Sequence, residues 1–327
     1  MRDQFNREIT YARISVTDRC NLRCRYCMPA SGVSKLPHGE ILSFEEIIRV
    51  AEILARLGIR KIRLTGGEPL LRRNLPTLIR ELKSLHGIEQ VTLTTNGVLL
   101  ERFATDLISS GVDGINVSLD TLDAVEFEAI TRRRIFAEVH RGIQFLLDAG
   151  FSNVKLNCVP LRGVNEDNIV ALAALAKDHD LKVRFIELMP FGCASRSGFS
   201  GMTSAEIISK LENHFGTLIP CDEKNFLQGP AKYFSIKNFV GQIGFIDALE
   251  HKFCGSCNRI RLTAEGFLKA CLCYDMGADL KKIMRAGASD EELLTVIRET
   301  IYRKPLEHSF EKNSLARDAR QMYQVGG

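Results

Sequence analysis

The sequence contains no run approaching the ~18 consecutive apolar residues that a membrane-spanning helix needs. It lacks a strong charge of either sign. Forty-four Lys and Arg face 40 Asp and Glu, and +4 spread over 327 residues is too weak to argue for a nucleic-acid or membrane partner. There is no low-complexity tract and no repeat beyond an alternation of short segments. Hydrophobic residues at 45% and charged residues at 26% exclude a disordered, fibrous or collagen-like chain. Met1 to Val16 is charged throughout and has no apolar centre, so no secretory signal is expected. No Ser/His/Asp arrangement for nucleophilic catalysis is evident.

What the sequence does have is ten cysteines, unevenly spread. Cys20, Cys24 and Cys27 form one group, and Cys254, Cys257, Cys271 and Cys273 another. Cys158, Cys193 and Cys221 are scattered between and read as structural. A secreted disulfide scaffold is short and cysteine-dense, and this chain is neither. Grouped thiols in a reducing, cytoplasmic compartment point to metal ligands or redox centres.

The first two thirds of the chain alternate strand and helix. Strands are expected over Tyr11 to Val16, Lys61 to Thr65, Val91 to Thr95, Gly114 to Leu119, Val154 to Val159 and Val183 to Leu188. Helices are expected over Ser43 to Leu57, Leu75 to Leu85, Glu101 to Ser110, Phe136 to Ala149 and Asp167 to Lys177. Ser43 with Glu46, and Thr203 with Glu206, have the spacing of capping boxes. Such alternation implies a parallel sheet with helices outside. A complete eight-stranded barrel needs ~250 residues, so six units predict a partial (βα)6 barrel of the TIM type. Phe191 to Met202 reads as a Gly- and Ser-rich linker, short strands follow to Thr263, and helix returns from Asp279 to Tyr302. The expected division is a barrel over 1–215 and a C-terminal domain over 216–327.

Cys20, Cys24 and Cys27 have CxxxCxxC spacing just after the first strand, at the carboxyl end where α/β barrels carry their sites. Three thiolates could hold a cluster of four irons with one iron open, or a zinc ion completed by His38 or a distant cysteine. Gly66-Gly67-Glu68-Pro69 ends the second strand, where two glycines allow close approach to the backbone. In the second group, Cys254, Cys257, Cys271 and Cys273 could satisfy zinc on spacing alone. Arg259 and Arg261 alternate along an expected strand and so face one side, where their forks suit phosphate or carboxylate. Arg13, Arg63 and Lys155 also lie in expected strands. Three inward cations would be costly without a polyanion beside them.

The CxxxCxxC loop paired with the GGEP turn resembles the radical S-adenosylmethionine superfamily. The C-terminal motif FCxxCNRxRLTxxGxLxxCL is narrower. With Gly229-Pro230-Ala231, Ile243 to Ile246, Arg184 to Gly192, Lys304 to Phe310 and the terminal Gly326-Gly327, it resembles the GTP 3′,8-cyclase family of molybdenum cofactor biosynthesis. The resemblance covers nearly the whole chain. It implies two [4Fe-4S] clusters, one on Cys20, Cys24 and Cys27 and an auxiliary one on Cys254, Cys257 and Cys271 in the C-terminal extension. It implies S-adenosylmethionine bound by Tyr26, Gly67, Ser118 and Met189, and GTP bound by Arg13, Arg63, Thr94, Lys155 and Arg259-Ile260-Arg261. It assigns Gly326 and Gly327 to the active site. The implied chemistry is reductive cleavage of S-adenosylmethionine, followed by joining of ribose C3′ to guanine C8. Implied partners are a second copy of the chain in a homodimer, an electron donor such as flavodoxin or ferredoxin, and a downstream cyclic pyranopterin monophosphate synthase. An alternative is a radical enzyme whose auxiliary cluster serves peptide modification, against which the NRxR segment argues. Two departures stand out. Cys273 is an extra thiol, and Arg132-Arg133-Arg134 follows Thr131 where the family usually has Thr-Gly-Arg.

Overall fold

A computed structural model describes residues 1–33, 36–221, 229–249, 252–310 and 320–326. Six βα units run as expected. The strands are β1 (Tyr11–Ser15), β2 (Lys61–Thr65), β3 (Gln90–Thr95), β4 (Gly114–Ser118), β5 (Val154–Cys158) and β6 (Leu181–Ile186). The helices between them are α1 (Phe44–Arg56), α2 (Leu75–Ser84), α3 (Leu100–Ser109), α4 (Ala124–Thr131), α5 (Phe136–Asp148) and α6 (Ile169–Asp178). α1 begins at the capping box: Glu46 N donates to Ser43 Oγ at 3.2 Å and Ser43 N to Glu46 Oε2 at 2.8 Å. Its apolar stripe, Ile47, Val50, Ala51, Ile53 and Leu54, is fully buried against the sheet. Burial of one such side chain contributes ~1.5–3 kcal/mol.

α4 was not anticipated. Asp123 caps it, accepting from Val125 N and Glu126 N at 2.8 Å each. The segment expected to be a linker is instead packed: Phe191 is fully buried and Gly201 bridges Leu161. The helices expected from Asp279 to Tyr302 are α8 (Leu280–Arg285) and α9 (Asp290–Tyr302), separated where Gly287 takes φ +91°.

Between these parts lie α7 (Ser204–Phe215), β7 (Leu218–Pro220), β8 (Lys232–Ile236), β9 (Gln242–Ile246), β10 (Arg259–Leu262), β11 (Phe267–Lys269) and β12 (Gly277–Asp279). A last turn, α10 (Met322–Val325), ends the described chain. The sheet order is β12-β11-β10-β1-β2-β3-β4-β5-β6-β9-β8-β7. β10 pairs in parallel with β1, and β9 in parallel with β6. The parallel run is therefore eight strands rather than six, and the C-terminal part of the chain supplies both added strands. The order is linear, with β7 and β12 at its two ends. The main apolar core lies between the sheet and its helices, and the inner face of the sheet lines a cavity.

Candidate active site

Strand register builds the site. Tyr11 lies opposite Lys61 and Arg259, and Arg13 opposite Arg63 and Arg261. Lys155 lies opposite Asn116 and Lys182, and Asn157 opposite Arg184. Because strand side chains alternate, each of these rungs points to the same inner face. They line one cavity of about 530 Å³, which also takes in all six expected cluster cysteines with Tyr26, Gly67, Thr94, Ser118 and Met189. Ile260 is on the other face, buried in the main core, so only its backbone is turned toward the cavity side. Gly327 lies outside the described residues.

The two thiol triads stand at opposite ends of the parallel strands. Cys20, Cys24 and Cys27 follow the carboxyl end of β1. Cys257 precedes Arg259, the first residue of β10, which pairs with Tyr11, the first of β1. Cys271 follows Lys269, which the antiparallel register sets against Arg261, so it returns to that same amino end. The basic rungs lie between.

The cysteine loop is held from two sides. Gly66 and Gly67 were expected to make room for a ligand. A Cβ on Gly66 would meet the Thr17 carbonyl oxygen at 2.6 Å, and one on Gly67 the Arg19 carbonyl oxygen at 2.4 Å. The two glycines therefore admit the cysteine loop itself. Glu68 fixes the turn, accepting from Asn96 N at 2.7 Å, Thr95 Oγ1 at 2.8 Å and Leu70 N at 3.0 Å. On the other side the end of α4 receives the loop. Arg23 N donates to the Thr131 carbonyl at 2.9 Å and Arg25 N to that of Ile130 at 3.0 Å. Arg132 occupies the position of the family's glycine with a left-handed φ of +57°, and its guanidinium donates to the Arg23 carbonyl at 2.8 Å.

The electrostatics differ between the ends. Burial pushes the Cys20 thiol up to about 11 and Cys27 up to about 12, with Cys24 also well above its usual value. A bound cation would reverse this. Burial also opposes ionisation of Cys257, but Arg259 and Lys304 outweigh it and bring that thiol down to about 6. In the middle, nine Lys and Arg side chains line the cavity against two carboxylates, Asp120 and Glu187, among the described residues. Burial, then Arg184 and Arg63, lowers Lys155 to about 6; burial and Arg63 lower Lys61 to about 8; burial and Arg259 lower Arg261 to about 10. The Tyr26 hydroxyl donates to Asp120 Oδ2 at 2.6 Å, and burial raises that carboxyl to about 6.

Sequence reasoning missed Lys61, Lys182, Arg184 and Lys304 as cavity cations. The signal was present for three of them, since Lys61-x-Arg63 and Lys182-x-Arg184 repeat the strand spacing of Arg259-x-Arg261. Cys273 is fully buried in a separate cluster with Phe191, Phe310 and Val325. Exposed His38 and buried Cys273 are both outside the cavity, so neither is placed to complete a zinc site with its neighbouring triad. The chain's tail is docked: Arg261 Nη1 donates to the Gly326 carbonyl at 2.7 Å and that of Val325 at 3.1 Å. Gly326 has φ +76°, and a Cβ there would meet Thr65 Cγ2 at 2.5 Å.

The model of the radical SAM superfamily matches residues 14–176, and that of the molybdenum cofactor synthesis C-terminal region matches residues 181–310. The GTP 3′,8-cyclase of Pelotomaculum thermopropionicum is 48% identical over all of both chains. That of Thermodesulfovibrio yellowstonii is 47% identical over 93% of this chain and 94% of its own. The chain belongs to the GTP 3′,8-cyclase family. Molybdenum cofactor biosynthesis protein 1 of Bos taurus is 43% identical over 94% of this chain and 48% of its own. Among solved structures, Streptococcus suis SuiB bound to its precursor peptide has a TM-score of 0.61 over 91% of this chain and 66% of that one. At 12% identity this shows the shared fold alone. As a GTP 3′,8-cyclase family member the chain is a radical SAM enzyme using S-adenosylmethionine and [4Fe-4S] clusters; among the described residues no three His, Cys, Asp or Glu side chains are gathered closely enough for a single metal ion, and three cysteines with no fourth line each end of the cavity, the donor set of a cluster with one open iron.

Proposed function

We propose that this chain binds GTP between its two thiol triads and joins ribose C3′ to guanine C8, opening molybdenum cofactor biosynthesis. The observation that carries the reading is the excess of buried cations between two sets of three thiols in one cavity. Burial of so many like charges is unfavourable unless an anion neutralises them, and a triphosphate supplies the required charge.

Cys20, Cys24 and Cys27 would hold the first cluster, and Tyr26, Gly67, Ser118 and Met189 the S-adenosylmethionine beside it; bound there, they would supply the one-electron chemistry that removes a hydrogen atom from the ribose. The remaining work belongs to the chain. Arg13, Arg63, Lys155, Arg259 and Arg261 hold the phosphates, with Thr94 fixing Arg63, from which it accepts at 3.2 Å. Cys254, Cys257 and Cys271 would hold the auxiliary cluster at the guanine end of the nucleotide, where Arg259 and Lys304 favour the thiolate of Cys257. The enclosing cavity positions the reacting carbons and keeps water from them. The tail meets the phosphate region where Arg261 donates to the Gly326 carbonyl. Residues 1–215 act as the radical-generating part and also supply Arg13, Arg63, Thr94 and Lys155 to the nucleotide, while 216–327 supply the auxiliary cysteines with Arg259 and Arg261. The working form is a cytoplasmic homodimer fed by a protein electron donor and followed by cyclic pyranopterin monophosphate synthase. A peptide substrate would not call for this density of cations.

Anaerobically purified protein given GTP, S-adenosylmethionine and dithionite should yield a cyclised isomer of GTP by mass spectrometry. Cys24→Ala should abolish S-adenosylmethionine cleavage, while Cys257→Ala should lose about half the iron and all product, since each triad holds one of two like clusters. Zinc without acid-labile sulfide, or a Cys257→Ala protein cyclising GTP at the unaltered rate, defeats the reading.

A further inference from the structure

The outer side of the cysteine loop is basic. Arg19 directly precedes Cys20, and Arg23 and Arg25 flank Cys24; Arg19 and Arg25 are exposed, as is Arg133 from the α4–α5 connection. None of these lines the cavity, whereas the three thiols do. The loop thus turns its cysteines to the cavity and Arg19, Arg25 and Arg133 lie on its exposed side, Arg25 over the Phe199 ring and Arg133 donating to the Asn21 carbonyl, while Arg23 is folded onto the Cys20 and Leu22 carbonyls. The carboxylates on the same elements are engaged elsewhere. Asp18 and Asp120 are buried, Asp123 caps α4, Glu126 accepts from Thr121 and Asn168, and Glu128 pairs with the largely exposed Arg134. Among the described residues, Arg19, Arg25 and Arg133 make no ion pair.

We infer that this arginine collar is the docking surface for an acidic one-electron carrier protein, which delivers the electron that the reaction consumes at Cys20, Cys24 and Cys27. The inference rests on the activity proposed above. The transfer is a single electron: the carrier is oxidised by one, the group held by the three thiols is reduced by one, and no bond or proton changes at the collar. A carrier seated there faces the outer side of the loop whose cysteines line the cavity. Complementary charge would orient it, speed its encounter and make that encounter sensitive to salt.

The test uses full-length protein and a bacterial flavodoxin as the probe, with Arg25→Glu/Arg133→Glu and the milder Arg25→Gln/Arg133→Gln. Flavodoxin affinity, measured by fluorescence anisotropy, should fall about tenfold or more in the Glu pair and less in the Gln pair. It should weaken for the unaltered protein as salt rises past 0.1 M, where charges about 10 Å apart are screened. GTP cyclisation driven by flavodoxin should fall in parallel, while cyclisation driven by dithionite, which needs no docking, should be kept. Unchanged affinity and unchanged flavodoxin-driven turnover overturn the inference. So does an equal loss with dithionite in both pairs, which would make the arginines supports of the loop. If unaltered protein with dithionite makes no cyclised GTP, the proposed activity fails, and the affinity measurements still decide the collar.

Discussion

A lysine ordinarily keeps its proton to a pH near 10.4, but Lys155 gives its up near 6 because burial and the guanidiniums of Arg184 and Arg63 all disfavour another positive charge. A triphosphate beside it would raise that value again. Binding of GTP at pH 7.5 should therefore take up protons, about one of them at Lys155, a consequence of linkage read by calorimetry in two buffers of different ionisation enthalpy. Equal apparent enthalpies in both would show that the nucleotide does not reach Lys155. Arg261→Ala should weaken GTP binding about tenfold or more, given roughly 1.5–3 kcal/mol for a charge-assisted bond, with iron content unchanged. Lys at that position should restore binding only in part, because a point charge lacks the planar fork that also holds the Gly326 carbonyl. Cys273→Ala should leave the iron untouched, since its sulfur packs among Phe191, Phe310 and Val325. At this scale the sequence was informative wherever a motif marked a residue. Spacing alone left Cys273 and Cys271 open, because two residues' separation does not say which thiol faces a cavity, and it was the family resemblance that pointed to Cys271.

At the scale of elements, the segment from Ala124 to Thr131 escaped notice for a physical reason. Phe127, Ile130 and Thr131 are buried but Val125 is 77% exposed, so the apolar positions do not form the stripe that reveals a helix. Its end clamps the cysteine loop through Arg132, in a conformation that costs a non-glycine residue ~1–2 kcal/mol. Arg132→Gly should relieve that strain while removing the bonds to the loop carbonyls. The melting temperature should barely move, yet iron at the first site should pass to a chelator faster than in the unaltered protein. Equal rates would mean that the backbone contacts alone hold the loop. The tail is the opposite case. Glycine ends are usually frayed, but here Gly326 is docked where no side chain fits. Removal of Gly326 and Gly327 should leave the melting temperature and both iron sites intact and abolish cyclisation; full activity with a bulky C-terminal extension would show that the end has no fixed place.

Over the whole molecule, the buried cations set a pH dependence. Lys155 and Lys61 have folded values of about 6 and 8, depressed below those of free lysine. Burial would raise Tyr11, but Arg63 and Arg13 outweigh it and bring it to about 7, below a free tyrosine. In each case the unfolded chain binds more protons than the folded one between the two values, so each adds stability as pH rises. Burial acts the other way on Glu68 and Asp120, raised to about 7 and about 6, and on Cys20 and Cys27, raised to about 11 and about 12, so the rise should stand clear between about pH 7 and 8. Melting followed over that window should show the rise without GTP and a flatter profile with it; a fall would contradict the charge arrangement. Six parallel strands were legible because hydrophobic period and caps are local. The seventh and eighth were not, because nothing near Tyr11 announces that its partner is Arg259, nor near Lys182 that its partner is Gln242. That remote pairing has a consequence for how the protein is made. The ribosome releases β1 and its cysteine loop early, yet β1 keeps a bare edge until nearly all the chain has emerged, and β6 waits likewise for β9. An unpaired edge invites aggregation. A nascent or truncated chain ending at residue 215 would carry a complete first cysteine motif between two sticky edges, so insertion of iron is safest after translation has finished.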